Sequence, residues 1–258
     1  LVSYETSPIK ARFEWNRRTA WSSQQLPWPP KGVEVAFTYK GDEALIRNFQ
    51  NLNVSDAQRE VLLKDDFITL SPKWNIVTVN AAANAFNNEG KAGEIMAPAN
   101  AVVFGEQALP ANTKVIICKL NTGTDQSSGY GPGIALQFEG EQSSKFYLSP
   151  RNKKFGIFHD GKGQSFDGFD PGRSYFLKIL LAAGKMVCSV SDDGRNYNTL
   201  AELPVQSNPS HIRVGKTDMQ GGKTVRGEAG ATGRSKIEQV LLLGAPRNAQ
   251  TDFDFLNG

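Results

Sequence analysis

The chain has 258 residues, of which 39% are hydrophobic and 21% charged, with a formal net charge of +3. A chain of that length and composition is globular and buries a sizeable core without needing a disulfide or a metal. The mild charge excludes a strongly basic nucleic-acid stripe, since Arg17-Arg18 and Lys153-Lys154 are short clusters among scattered cations; no apolar run approaches the roughly 18 residues of a membrane span.

Residues 1–60 differ from the rest and are expected to form appended strands or a partial domain. The segments "PIKARFEW" and "GVEVAFTYKG" alternate apolar and polar residues and read as strands. Between them, Pro27, Pro29 and Pro30 exclude helix and central strand. "DEALIRNFQNL" and "SDAQREVLLK" are the two pieces with helical spacing. Leu1 opens the chain without a Met, so a removed N-terminal segment is expected, and a secretory signal fits. Asn53-Val54-Ser55 is a formal glycosylation sequon.

Residues 61–245 carry a steady pattern of short strands. They are expected near 67–70, 74–79, 93–97, 101–105, 113–120, 133–139, 144–149, 154–159, 174–181, 185–191, 198–203, 210–215 and 235–243. Gly, Asn, Asp and Pro punctuate them, as at Asp160-Gly161, Asp170-Pro171-Gly172 and Asp193-Gly194. Many short strands at regular spacing predict an antiparallel sandwich or barrel. Thr217–Gly233 reads as a long surface loop, and residues 246–258 as a polar tail.

"GYGPG", Gly129 to Gly133, invites a phosphate-loop reading. A phosphate loop needs a helix directly after the glycines, so that free N–H groups face the anion. Here Gly133 leads into the strand Ile134-Ala135-Leu136-Gln137-Phe138, and the loop reads as a turn that displays Tyr130.

The succession "DDF…LSPKW", "GYGPGIALQF", "KFYLSPRNKKFGIF" and "RSYFLKILLAAGKMVCSVSDDGRNYNTL" resembles the concanavalin A-like lectin/glucanase superfamily, in its laminin-G-like and bacterial carbohydrate-binding forms. Tyr175, Leu177, Ile179, Ser191, Asp193, Gly194 and Tyr197 match the hairpin of that pattern, and the resemblance covers about Lys64 to Leu243. It implies an all-β fold, a two-sheet antiparallel jelly-roll sandwich. The function expected from it is that of a secreted, periplasmic or cell-surface bacterial module that binds carbohydrate, alone or as an accessory domain of a glycan-degrading system. The alternatives are a glycoside hydrolase with loop-borne carboxylates and a protein-interaction domain.

Glucanases of this fold carry E-x-D-x-x-E or E-x-D-x-E on a strand, which puts the acids on one face flanking the sugar bond. No such motif occurs. Glu139 and Glu141 straddle Gly140 in a turn, Asp252 and Asp254 sit in the tail, and adjacent Asp65 and Asp66 point apart. The catalytic residues, if any, are therefore unknown at this level. The histidines, His159 and His211, belong to no triad motif and read as surface or edge residues. "SVSDDGRNY" lacks calcium-loop spacing and reads as an Asp-Gly hairpin. No cofactor is expected. The superfamily often holds one structural calcium near the chain ends, for which Asp65, Asp66 and Glu238 are the candidates. Cys118 and Cys188 are expected as buried free thiols; a disulfide would require neighbouring strands and an oxidising compartment.

Sugar binding uses aromatic faces against C–H faces, with planar amides and guanidinium groups supplying paired hydrogen bonds. Alternation sends Ile134, Leu136, Phe138, Phe146, Leu148, Phe155 and Ile157 to the core, and Gln137, Lys145, Tyr147 and Phe158 to the opposite faces. The candidate ligand-binding set is Tyr130, Gln137, Tyr147, Arg151, Phe158 and Lys178.

Overall fold

Successive side chains on a strand point to opposite faces, so an alternating sequence folds stably only when one face is covered. The structure, a computed structural model, describes residues 2–6, 9–13, 37–39, 56, 59–68, 71–87, 92–139, 142–218, 228–229 and 233–246. The chain divides into two units, Leu1–Leu52 and Asn53–Gly258. In the first, β1 (Val2–Thr6), β2 (Ile9–Phe13) and β3 (Phe37–Tyr39) form an antiparallel sheet in that order. The helical segment expected at 42–52 lies outside the described residues.

The second unit contains β4 (Arg59–Asp65), β5 (Asn75–Val79), β6 (Phe86–Asn87), β7 (Gly93–Ala97), β8 (Val102–Ala108), β9 (Val115–Asn121), β10 (Pro132–Gln137), β11 (Ser143–Ser149) and β12 (Lys154–His159). These are followed by β13 (Lys162–Phe166), β14 (Ser174–Ala182), β15 (Lys185–Ser191), β16 (Asn198–Pro204), β17 (His211–Lys216) and β18 (Gly233–Pro246). One sheet runs β13-β12-β11-β10-β17-β8-β5. The other runs β16-β15-β14-β9-β18-β7-β6, with β4 also paired to β18. Every pairing is antiparallel. The fold is an all-β, two-sheet jelly-roll sandwich.

The core takes one face from each sheet. Ile134, Leu136, Phe146, Leu148, Phe155, Ile157, Ile212 and Val214 meet Ile116, Cys118, Leu120, Tyr175, Leu177, Ile179, Cys188 and Leu242. These are the inward positions that alternation assigns. Both cysteines are buried free thiols. Each faces β14 from its own side, Cys118 opposite Leu177 and Cys188 opposite Ile179, so the two strands are not neighbours. Burial pushes the Cys188 thiol up to about 12 and the Cys118 thiol well above its usual value, with Glu238 adding to the latter.

Several elements depart from the sequence expectation. The helical reading of "SDAQREVLLK" is overturned over Arg59–Asp65, which is strand β4. Its backbone pairs with β18 from Val240 to Pro246, and Leu63 and Asp65 turn inward. The strand expected at 67–70 does not start at Phe67, whose φ of 56° is left-handed. Asp65 dictates this corner. Its carboxylate accepts the N–H of Phe67 at 2.7 Å, of Ser71 at 3.1 Å and of the Trp74 indole at 3.0 Å. Phe67 is thereby driven inward, its ring 5.4 Å from that of Trp74. β13 departs from the expectation, because "KGQSF" is exposed from Lys162 to Ser165, with Phe166 alone packed against the core, and shows no alternation. The Asp193-Gly194 hairpin is not a two-residue turn: β15 ends at Ser191 and β16 begins at Asn198. Asp193 organises that loop by accepting the amides of Arg195 and Asn196, which holds its carboxyl well below the usual range.

His159 is not a surface histidine. It is buried, its Nδ1 2.6 Å from Ser144 Oγ and its Nε2 2.9 Å from the carbonyl of Pro204, so it ties β12 of one sheet to β16 of the other.

Candidate functional site

The register of the seven-stranded sheet sets the outward rows. Phe158, Lys145, Ala135, Arg213 and Glu106 stand side by side on β12, β11, β10, β17 and β8. The next row toward the β9–β10 and β17–β18 connections is Gly156, Tyr147, Gly133, Gly215 and Phe104. On the other side lie Ser143, Gln137 and His211.

Alternation assigns Lys145 and Tyr147 to this face correctly, yet Lys145 is 0% and Tyr147 5% exposed. The Tyr147 ring lies over Gly156, where a Cβ would sit 2.2 Å from its Cζ. Only a residue without a side chain permits that approach. Lys145 Nζ donates to the carbonyls of Gly129, at 3.3 Å, and Thr217, at 3.0 Å. The Tyr147 and Tyr130 rings stand 4.9 and 5.8 Å from it. Burial pulls the Lys145 amine down to about 7; Asp218 and Asp125 oppose the shift, Lys216 adds to it and Glu228 opposes it.

Residues 127–131 of the β9–β10 connection meet Thr217, Asp218 and Glu228 of the β17–β18 connection at this end of the face. Glu228 accepts the Ser128 amide at 2.8 Å, the Ser128 hydroxyl at 2.6 Å and the Gly129 amide at 3.2 Å. Burial alone would raise the Glu228 carboxyl, but these hydrogen bonds outweigh it and hold it below its ordinary value. Arg151 reaches Glu228 at 3.5 Å, and its amide donates to the Ser127 carbonyl at 3.1 Å. Beneath them Lys216 and Asp125 form a buried ion pair at 3.1 Å. Gly131 fits because a Cβ there would meet the Leu148 carbonyl oxygen at 1.9 Å. Thr217 and Asp218, read as surface loop, are buried. They form the floor of this closure.

The fold therefore brings Tyr130, Tyr147 and Arg151 to one end of one face, with Phe158 one row further along, beside Lys145, and Gln137 one row beyond that. Lys178 is elsewhere, on β14 of the eight-stranded sheet, where it meets Asp56 at 2.5 Å beside the Tyr197 ring. Sequence reasoning did not single out Lys145, Glu228, Asp218, Arg213 or Glu106. Arg213 Nε donates to Glu106, and the guanidinium carbon lies 4.9 Å from the Phe104 ring centroid. The two partners are 107 residues apart. No local pattern announces them.

A retaining or inverting glycosidase needs one carboxyl whose pKa is raised, to act as general acid. Among the described residues the carboxyls clearly moved are Asp193 and Glu228, and both move down. Glu106 is committed to Arg213. Glu139 lies beyond the end of β10; Glu141, Asp252 and Asp254 fall outside the described residues. For metal, no group of three or more His, Cys, Asp or Glu side chains gathers among the described residues. Asp65 already accepts three N–H donors. Asp66 accepts the Ile68 amide. Glu238 takes the Lys119 ammonium at 2.8 Å and the Ser174 hydroxyl at 2.7 Å.

No protein-family model matches the sequence, and no curated protein matches it. Solved structures do. A mutant of the GH43 protein BlXynB from Bacillus licheniformis superposes with a TM-score of 0.51 at 12% identity, over 70% of this chain and 39% of that one. The xyloglucan-locus GH43B of Bacteroides ovatus gives 0.50 at 10% identity, over 70% and 39%. The Crh5 transglycosylase in complex with NAG gives 0.51 at 13% identity, over 73% and 88%. The chain thus spans about two fifths of the GH43 structures it matches. These likenesses establish the fold, and the sandwich is of the concanavalin A-like type.

Proposed function

We propose that this chain is a carbohydrate-binding module of a secreted, periplasmic or cell-surface bacterial protein, an accessory to glycan degradation. The observation that carries the reading is the outward row of the seven-stranded sheet. An aromatic ring, Phe158, stands three strands, about 14 Å at the usual strand spacing, from Arg213, which pairs with Glu106 on the next strand. That span suits an oligosaccharide better than a single sugar. Tyr130 and Arg151 supply the rim, Gln137 a planar amide, and Tyr147 a ring held flat beneath them. Lys178, on the opposite sheet, would contribute only through a second surface. The neighbouring structures support the same ligand class through a xyloglucan-locus protein and a transglycosylase bound to NAG.

The test is retention of the purified protein on immobilised xylan, xyloglucan, β-glucan and chitin, read for both binding and released sugar. Retention without release is expected, and Phe158→Ala should weaken it about two- to tenfold, the worth of one aromatic contact. Released sugar would replace this reading with a hydrolase whose acids sit on loops. Neither retention nor release would move the weight to a protein partner on the same face.

A further inference from the structure

We infer that Lys145 and Glu228 are positioning residues that lock the Tyr130 rim over the sheet, and that acidification through neutrality loosens this lock at Lys145.

The geometry is a double tie. Lys145 rises from β11 and binds one carbonyl from each connection, Gly129 before β10 and Thr217 after β17. Glu228, from the β17–β18 connection, binds the amides of Ser128 and Gly129 on the β9–β10 connection. The backbone of Gly129 is thus held from both sides, its carbonyl by the lysine and its amide by the glutamate. Tyr130 follows directly. Its ring position is set by residues 15 and 98 positions away in sequence.

Lys145 differs from the other buried lysine of this cluster. Lys216 rests on a carboxylate, Asp125, at 3.1 Å. Lys145 rests on two neutral carbonyls, and a neutral amine has two N–H groups to give them. The charged form makes no direct contact with a carboxylate in a site closed to bulk solvent, and burying it is costly. The groups facing the amine are Asp218 and Glu228 from one connection, Asp125 and the Tyr130 ring from the other, Lys216 from β17, and Tyr147 from its own strand. Phe158 and Ala135, its neighbours across β12 and β10, do not titrate. Glu228 is held ionised and burial keeps Tyr147 a neutral phenol, so neither changes near neutrality.

The sign follows from the two states. With the rim closed the amine titrates near 7; with the rim open and the amine in water it titrates near its ordinary 10.5. A proton therefore binds the open state more readily, and acid favours opening. From those two values closure is about tenfold more favourable at pH 8 than at pH 6.

The first test needs no ligand, so its failure and that of the carbohydrate reading are separate events. Hydrogen exchange of the Ser128 and Gly129 amides is followed from pH 6 to pH 8, referenced to amides of β14 and corrected for the chemistry of exchange. Protection is expected to rise about tenfold in the wild type and to stay flat in Lys145→Met. Equal protection at both pH values in the wild type, or the same rise in Lys145→Met, overturns the inference. Should that variant not fold, carbon-13 lysine spectra of the wild type decide. A lysine Cε titrating near 7 supports the inference, and all lysines titrating near 10.5 defeats it. Retention on the immobilised glycan that binds best is then compared at pH 6 and pH 8. Weaker retention at pH 6 in the wild type alone links the lock to the ligand site, which rests on the proposed function. Equal retention at both pH values removes that link.

Discussion

Two lysines on the two outer faces of the sandwich have nearly the same aromatic neighbour and opposite counter-groups. Lys178 on the eight-stranded sheet lies 4.8 Å from the Tyr197 ring and makes an ion pair with Asp56. Lys145 on the seven-stranded sheet lies 4.9 Å from the Tyr147 ring and is held by two carbonyls. A tyrosine face lends a cation only modest help. The counter-group decides. With a carboxylate, a half-buried lysine becomes a fixed staple, here fastening Asp56 and, through it, Arg59 at the start of β4. With carbonyls alone, it becomes an amine that gives up its proton near neutrality. One face uses lysine to hold the fold, the other to hold a rim.

The largest effect that would break this comparison is at Asp56. Asp56→Ala leaves Lys178 without its carboxylate, and urea unfolding should show a loss of about 1.5–3 kcal/mol. A loss under about 1 kcal/mol would mean that Lys178 is not a staple. Next is Gly156→Ala, whose new methyl displaces the Tyr147 ring. Overpacking of this kind costs about 1–3 kcal/mol, and near-ultraviolet dichroism should report the moved tyrosine. Lys145→Met comes third, and its sign depends on pH. Below about 7 the folded and unfolded lysine are both protonated, and above that the unfolded chain binds a proton that the folded chain releases. The stability of the wild type relative to Lys145→Met should therefore rise from pH 7 to pH 9, with a slope approaching ~1.4 kcal/mol per pH unit. Parallel curves would place this lysine with Lys178. The smallest effect is on the thiols. A disulfide-exchange reagent should find neither Cys118 nor Cys188 in the native protein and both after unfolding, because burial keeps them protonated and covered.

The sandwich was legible because alternation is a local signal. Ile134, Leu136, Phe146, Leu148, Tyr175 and Leu177 reveal their inward face from spacing alone. β4 escaped because "REVLLK" also suits a helix, and only the free edge of β18 decides for strand. β13 escaped because four of its five residues are exposed and a single partly buried Phe166 makes no alternation. At the candidate site the face was readable and the burial was not. Lys145 is covered by segments 16 and 72 residues away, whose approach depends on the finished fold. Tyr147 and Phe158 were legible as outward positions from alternation, and Tyr130 and Arg151 as turn residues beside them. Glu228, Asp218 and the Arg213–Glu106 pair were not, since each acquires meaning only through a long-range partner.

β18 has a consequence for how the protein is made. Its fourteen residues pair with β9 along one side and with β7 and then β4 along the other. Those strands leave the ribosome well before it does, and β7 and β4 have their place in the sheet only against it. Until residues 233–246 emerge, the eight-stranded sheet lacks its middle, and β9 exposes a long unpaired edge to the cell. Pairings of such sequence separation close slowly. The nascent chain therefore waits, with its apolar strands uncovered, for one late segment to complete them, and in that interval it depends most on chaperones.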